Sequence, residues 1–131
     1  MPSQKVTVRK DFDVIVARSR VRDLARSIGM STTDQARISL ATSSAARAMG
    51  LGARYEGEIL SECLNGHDCA GIRVTCRAKG RAEDDLMQNL GDAKFMTDEL
   101  TIERSPTNDL VVTMVKWTKH ETEHDKDRGS G

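Results

Sequence analysis

The feature that most constrains the fold is a pair of consecutive helical patterns in the first half of the chain. The first pattern has five apolar residues at spacings of three or four, which places them on one face of a helix. They are Val14, Ala17, Val21, Leu24 and Ile28. Asp11 or Asp13 can cap the start of this helix, and Gly29 stands where a left-handed C-terminal cap belongs. These signals predict an amphipathic helix that buries a single face.

A second helix is predicted directly after the first. Two overlapping capping boxes open it, Ser31 with Asp34 and Thr32 with Gln35. The helix is expected to run to about Met49, because Gly50 and Gly52 follow. Its buried stripe is predicted to consist of Ile38, Ala41, Ala45 and Met49. Small residues are frequent in its C-terminal half, which predicts that another element packs closely there.

Strand and turn signals predict the remaining elements. Lys5–Arg9 alternates apolar and polar residues, as a half-buried strand does. Two strands, Tyr55–Cys63 and Cys69–Cys76, are expected to form a hairpin because Asn65-Gly66 is a strong turn signal. Short helices are predicted over Glu83–Leu90 and Asp92–Glu99, and a final hairpin over Thr101–Arg104 and Leu110–Trp117.

The order of these elements predicts the fold class. A strand, two helices, a hairpin, a short helical region and a second hairpin indicate an α+β fold, a two-layer sandwich whose mixed sheet carries its helices on one face. The chain of 131 residues suits one domain, over residues 1–119. Residues 120–131 are charged and contain no apolar residue, which predicts a disordered polar tail.

Composition and charge exclude several classes of protein. No apolar run approaches the roughly 18 residues of a membrane span, and the N-terminus has no apolar signal core, so a cytoplasmic protein is expected. The net charge is zero. Residues 1–60 hold ten Lys/Arg against six Asp/Glu, and residues 61–131 hold ten against fourteen. This asymmetry is too mild to predict direct nucleic-acid binding, but it can orient a protein partner.

The cysteines and histidines suggest two kinds of site. Cys63, His67, Cys69 and Cys76 suggest zinc, yet five residues separate Cys63 from Cys69, whereas zinc sites favour closer pairs. Cysteines used as small core residues are the favoured interpretation, and no metal site is predicted. A Ser-His-Asp hydrolase is disfavoured because no nucleophile motif accompanies the histidines.

Arginines on the helices are the candidate partner-binding residues. Arg18, Arg22 and Arg26 share one face of the first helix at spacings of four. One interpretation is a solvated surface. The other is a surface for an acidic partner, because arginine forms bidentate pairs with carboxylates and is enriched at interface hot spots. Arg37 and Arg47 on the second helix are weaker candidates for the same role.

Several short stretches carry a resemblance to a known family. They are Val16-Ala17-Arg18, Asp34-Gln35-Ala36-Arg37-Ile38, Ala41-Thr42-Ser43, Asp98-Glu99-Leu100-Thr101-Ile102 and Val115-Lys116-Trp117. In this order, over roughly residues 5–118, the chain resembles the anti-sigma factor serine/threonine kinases of the RsbT type. The resemblance implies a GHKL (Bergerat-type) ATPase fold. Active members have a Glu base and a magnesium-binding Asn in the second helix, an adenine-binding Asp in an Asp-x-Gly-x-Gly segment, and a glycine-rich lid over the phosphates.

This chain departs from the family at each of those elements. Ser44 stands at the Glu position, Ala48 at the Asn position, Ala78 at the adenine-binding Asp, Gly80 and Ala82 at the glycine pair, and Asp109 at a Gly-Thr step near the last hairpin. The glycine-rich lid is absent from the sequence. Several such losses together exceed a micromolar binding energy of about 8 kcal/mol. In another register, Asp84 or Asp85 is an alternative carboxylate.

The resemblance and these departures together predict a degenerate GHKL ATPase-like domain that has no catalytic residue and binds no cofactor. As a pseudo-kinase it would act by protein binding in a bacterial partner-switching or stress-response pathway. The implied partners are a STAS-domain antagonist, a PP2C-type phosphatase regulator, a sigma factor or a related kinase, and a homodimer is a further expectation. The alternative is an active anti-sigma serine kinase that phosphorylates a STAS-domain antagonist from an atypical ATP site.

Overall fold

The computed structural model describes residues 3–66, 69–80 and 89–118. The elements on these residues are β1 (Ser3–Val8), α1 (Asp11–Ser27), α2 (Thr32–Ala48), β2 (Gly57–Asn65), β3 (Ala70–Ala78), α3 (Gly91–Met96), β4 (Glu99–Arg104) and β5 (Leu110–Trp117). Each predicted element that falls on them is present, with ends that differ by a few residues. The helix predicted over Glu83–Leu90 lies almost wholly outside the described residues, as does the tail. None of the described helices has the length and apolar character needed to cross a bilayer.

The five strands form one sheet in the order β1-β2-β3-β5-β4. Each neighbouring pair is antiparallel, so the prediction of a mixed sheet is wrong. The reason lies in the connections. Two helices carry the chain from β1 to β2 and return it in the opposite direction, while β2–β3 and β4–β5 are hairpins. β4 does run in the direction of β3, but β5 lies between them. The coarser prediction of an α+β fold is confirmed.

The helices cover one face of the sheet, as predicted. The strand register places one row of side chains toward the helices: Val6, Ile59, Cys76, Val112 and Ile102. These residues belong to, or pack against, the single hydrophobic core that also contains the buried faces of α1 and α2. The next row along the strands points away from the core and begins with Lys5 and Leu60. The outer face of the sheet therefore carries no helix in the described part of the chain.

The predicted stripes of α1 and α2 form the helical half of this core. Four of the five stripe residues of α1 are buried, and Ile28 packs against the core while half exposed. All four stripe residues of α2 are completely buried. Burying such side chains stabilises the fold by about 1.5–3 kcal/mol for each large residue. The small residues Ala41, Ala45 and Ala46 are also fully buried, which confirms the predicted close packing of α2.

The ends of α1 and α2 follow the sequence signals in part. Gly29 has φ +83°, and the N–H groups of Gly29 and Met30 close a Schellman motif on α1. Ser31 accepts a hydrogen bond from the N–H of Asp34 at 3.1 Å, as its capping box predicts. The predicted capping box of Thr32 and Gln35 is wrong, because the side-chain amide N–H of Gln35 donates to the Met30 carbonyl instead.

The N-terminus of α1 differs from the prediction. The N-cap residue is Lys10, not Asp11 or Asp13. Asp13 instead accepts the backbone N–H groups of Arg9 and Lys10, at 2.9 and 3.1 Å. These hydrogen bonds, that of Arg9 foremost, lower the pKa of Asp13. The carboxylate therefore stabilises the entry into α1 from inside its first turn.

The predicted β2–β3 hairpin is confirmed, and Asn65 pairs with Ala70 at its end. Neither Asn65 nor Gly66 adopts a positive φ. Gly66 donates its N–H to the carbonyl of Cys69 at 2.7 Å, and a Cβ at Gly66 would lie 2.9 Å from the ring of Trp117. A side chain at position 66 would therefore clash with Trp117, so glycine is required there.

Candidate functional site

Ser44 and Ala48 lie one turn apart on α2, on the side toward α3. Ser44 is half-buried and lines a cleft between α2 and α3. Ala48 is half-buried and packs against the core. A hydroxyl and a methyl group therefore stand where the resemblance expects a carboxylate base and an amide ligand.

The end of β3 carries the positions assigned to adenine binding. Ala78 is completely buried within the core. Gly80 follows with φ +66°, and its N–H donates to Oδ1 of Asp109 at 3.0 Å. Ala82 and the alternative carboxylates Asp84 and Asp85 lie outside the described residues. Of the adenine-binding segment, the described part is therefore a buried methyl group and one glycine whose amide already has a partner.

Asp109 connects the end of β3 to the β4–β5 hairpin. Besides the Gly80 N–H, its carboxylate accepts the guanidinium of Arg77 at 3.3 Å and the hydroxyl of Thr107 at 3.1 Å. The Asp109 N–H donates to Oγ of Ser105 at 3.0 Å. The Gly80 N–H, followed by the smaller effect of Arg77, lowers the pKa of Asp109. The sequence marked Asp109 as a departure from the family but did not reveal its partners Gly80 and Arg77, which lie about 30 residues away in the chain.

The cleft between α2 and α3 has a volume of about 470 Å³. Its lining combines arginines, serines and exposed apolar residues: Arg37, Leu40, Ser43, Ser44, Arg47, Asp92, Phe95 and Met96. Arg37 and Arg47 are ten residues apart, so they stand about 15 Å from each other along the axis of α2.

A second groove, of about 410 Å³, lies between α1 and α2. It is lined by Ile15, Arg18, Ser19, Arg22, Ala36, Ser39 and Leu40. Leu40 borders both this groove and the cleft beside α3. The two depressions therefore adjoin along the outer side of α2.

Four of the five predicted arginines line these depressions. Arg18 and Arg22 are half-buried in the groove between α1 and α2, and Arg37 and Arg47 border the cleft beside α3. Arg26 lines neither one, and it forms an ion pair with Asp23 at 3.4 Å near the end of α1. The structure thus brings together residues that the sequence placed on two separate helices.

Sequence reasoning missed the apolar residues on this outer side. The large hydrophobic residues that are exposed in the described part of the chain are Phe12, Ile15, Leu40 and Phe95, all on helices. Phe95 is the most exposed of the four, at 90%. Ile15 and Leu40 are apolar residues of α1 and α2 that do not belong to the buried stripes. This position in the helical pattern is the sequence signal that could have identified them as exposed.

Sequence reasoning also missed a buried ion pair. Nζ of Lys116 on β5 lies 3.6 Å from Oδ1 of Asp34 on α2, and each side chain is only 5% exposed. Arg37 contacts the same oxygen at 3.4 Å. Lys116 occupies an inward position of β5, in line with Val112 and Met114. The pair joins the first turn of α2 to the sheet.

Two of the three cysteines, Cys63 and Cys76, are core residues as predicted, and Cys69 is not part of the core. Cys63 and Cys76 are buried, Cys69 is half-buried, and all three are free thiols. Burial raises the pKa of Cys76 to about 12, and it also raises the pKa of Cys63. His67 lies outside the described residues. Within residues 3–66, 69–80 and 89–118, no cluster of three or more His, Cys, Asp or Glu side chains is arranged to hold a metal ion.

Comparison with known proteins gives one relative that spans most of the chain. The protein is similar to the serine/threonine-protein kinase RsbT of Bacillus subtilis (strain 168), with 24% identity over 128 residues of alignment. The alignment covers 87% of this chain and 96% of the relative. No family model matches the chain. The similarity supports the RsbT-type resemblance that the short stretches carry.

Proposed function

We propose that this protein is a non-catalytic regulator, a degenerate GHKL ATPase-like domain that binds other proteins in a bacterial partner-switching or stress-response pathway. Similarity to a serine/threonine kinase over 87% of the chain supports the kinase ancestry. The observation that carries the non-catalytic part is the identity of two residues one turn apart on α2, which are Ser44 in the lining of the cleft and Ala48.

These two residues do not fit a magnesium-bound nucleotide. A serine hydroxyl is not a general base near neutral pH unless another base activates it. An alanine side chain has no oxygen, which is the atom type that Mg²⁺ binds. The catalytic base and the metal ligand of an active kinase therefore have no counterpart at these positions.

The residues at the positions assigned to adenine binding do not fit either. Ala78 offers a buried methyl group in place of a carboxylate. The Gly80 amide and the Asp109 carboxylate are bonded to each other, so a nucleotide would have to break that contact. A phosphate near Asp109 would also meet a negative charge. No step of phosphoryl transfer is assigned to this chain.

The proposed mode of action is binding through the arginines of the helices, Arg18, Arg22, Arg26, Arg37 and Arg47. The expected partners are a STAS-domain antagonist, a PP2C-type phosphatase regulator, a sigma factor or a related kinase of the same fold. A second copy of this chain is a further candidate. Direct contact with nucleic acid or a membrane is not part of the proposal.

Calorimetric titration with Mg·ATP tests the non-catalytic claim. The protein should release no heat of binding up to nucleotide concentrations of about 1 mM, which excludes a free energy of binding stronger than about 4 kcal/mol. The Bacillus subtilis relative, titrated in the same buffer, is the positive control. Saturable micromolar binding of Mg·ATP would overturn the proposal.

The second candidate is an active anti-sigma serine kinase with an atypical ATP site. The observation that favours it is the similarity to a protein that is itself a kinase. Incubation with labelled ATP and a STAS-domain partner separates the two candidates, since a non-catalytic protein transfers no label. A Ser44→Ala variant serves as the matched control. Label on a serine of the partner, whether or not Ser44 is present, would establish the kinase.

A further inference from the structure

Three exposed apolar residues border the depressions on the outer side of the helices. Ile15 on α1 and Leu40 on α2 are 47% and 49% exposed, and Phe95 on α3 is 90% exposed. Isolated exposed hydrophobic residues are common on protein surfaces. These three differ because Leu40 borders both depressions and each of the others lines one of them.

Three arginines accompany these apolar residues. Arg18 and Arg22 line the groove on the α1 side, and Arg47 lines the cleft on the α3 side. Within the described part of the chain, none of the three guanidinium groups forms a salt bridge, whereas Arg37 is held by Asp34. Asp92 is the one carboxylate in either described lining. The surface therefore has an excess of positive charge next to its apolar residues.

Small residues also line the groove between α1 and α2. They are Ser19, Ala36 and Ser39. Small side chains allow a third helix to lie close to the two below it, since helices pack when the ridges of one fill the grooves of another. An extended strand would need free backbone partners, and the backbone of α1 and α2 is bonded within the helices.

We propose that this surface, defined by Ile15, Leu40 and Phe95 with Arg18, Arg22 and Arg47, docks an amphipathic acidic helix of the protein partner. The inference rests on the proposed binding function and specifies the chemistry of the partner. Apolar residues on one face of the incoming helix contact Ile15, Leu40 and Phe95. Asp or Glu residues beside that face form charge-assisted hydrogen bonds with the arginines.

A second copy of this chain fits the surface less well. Two copies placed face to face would bring the arginine-rich surfaces together. On the outer face of the sheet, the carboxylates of Glu58 and Glu62 already have cationic neighbours in the same chain, Lys5 and Arg73. Charge complementarity therefore favours a different protein that supplies its own carboxylates.

A designed peptide tests the proposal on the full chain. The probe is a fluorescein-labelled helical peptide of about 18 residues with leucines at helical spacing and glutamates flanking them. Two control peptides accompany it: one has the same composition in an order that breaks the apolar stripe, and the other has lysines in place of the glutamates. Fluorescence anisotropy should show saturable binding of the probe, and binding weaker by about tenfold or more for both controls.

Peptide binding by substituted variants of the protein tests where the peptide binds. Arg22→Glu should weaken binding by about fivefold or more, whereas Arg20→Glu should change it by less than about twofold. The second variant is the matched control because Arg20 lies on the same helix but bonds Gln4 beside β1. Leu40→Ala should weaken binding, and Leu60→Ala on the outer face of the sheet should not. Circular dichroism checks that each variant is folded.

Three results would overturn the proposal. The first is failure of the probe to bind, and the second is equal binding by the Arg20 and Arg22 variants. The third is a stable dimer in light scattering that Leu40→Ala dissociates, because a second copy would then occupy the surface. Thermal unfolding with and without Mg·ATP is measured on the same samples. Stabilisation by nucleotide would contradict the non-catalytic function without affecting the docking result, so the two failures are distinguishable.

Discussion

The helix layer has an inner side, which faces the sheet, and an outer side. The two differ in whether their polar side chains have partners within the chain. Toward the sheet, the Asp34 carboxylate meets Lys116 and Arg37. At the end of β3, the Asp109 carboxylate meets Gly80 and Arg77. On the outer side, apolar side chains and arginines remain open to solvent. The inner polar groups therefore stabilise the fold. We propose that the outer surface binds a partner.

The inner side should tolerate substitution least, and Asp34→Ala should have the largest effect. Removing this carboxylate leaves the buried Lys116 ammonium without its partner, which costs about 3–5 kcal/mol of unfolding free energy. Arg37→Ala removes the exposed partner and should cost less than about 1 kcal/mol. Urea unfolding measures both. Equal losses for the two variants would show that the buried pair is not what joins α2 to the sheet.

A second comparison uses two residues on opposite sides of α2. Ile38→Ala empties a fully buried position and should lower the unfolding free energy by about 2–5 kcal/mol. Leu40→Ala should change it by about 0.5 kcal/mol or less, since Leu40 is half exposed. A large loss of unfolding free energy for Leu40→Ala would contradict the proposal that this side chain contacts a partner.

Substitution of Gly80 tests whether this glycine, at a position that the resemblance assigns to nucleotide binding, contributes to the stability of the fold. It has φ +66°, and a Cβ added there would meet no atom within 4 Å. Gly80→Ala should therefore cost about 1 kcal/mol through backbone strain alone. Gly80→Asn should cost less, because asparagine adopts the left-handed region more readily. If both variants unfold like the wild type, the backbone conformation at Gly80 does not contribute to stability.

Asp109 should make the stability of the chain depend on pH in a defined direction. Its folded-state pKa is below the ordinary value of 3.8, so the carboxylate stabilises the fold fully above that value. The stabilisation is lost as pH falls below 3.8 through the folded-state pKa. The melting temperature of the wild type should exceed that of Asp109→Asn at pH 7, and the difference should shrink by pH 3. A difference that grows as the pH falls would contradict this assignment.

Much of the fold could be predicted because its signals are local. The helical stripes, the Schellman cap at Gly29 and the Ser31 cap each depend on residues a few positions apart. The sheet was predicted to be mixed, whereas each neighbouring pair of strands is antiparallel, since direction depends on how the connections return the chain. The end of the domain at residue 119 stays a prediction, because it lies outside the described residues.

The candidate site was less accessible from the sequence because its contacts join distant segments. Nothing near Lys116 in the sequence indicates that Asp34 lies beside it, and Arg77 gives no sign of Asp109. Helical spacing identified Arg18, Arg22 and Arg26, and Arg37 and Arg47 were weaker candidates on the second helix. Their apolar neighbours on α1, α2 and α3 become evident only when the three helices are packed together.

The central claim is that the cavity beside α2 does not receive a nucleotide. The most direct measurement is an amide-resolved NMR titration of the labelled protein with a magnesium-bound, non-hydrolysable ATP analogue. The account predicts that the amide signals of Ser44, Ala48, Ala78 and Gly80 stay at their positions up to analogue concentrations of about 1 mM. Saturable shifts of those four signals would contradict it.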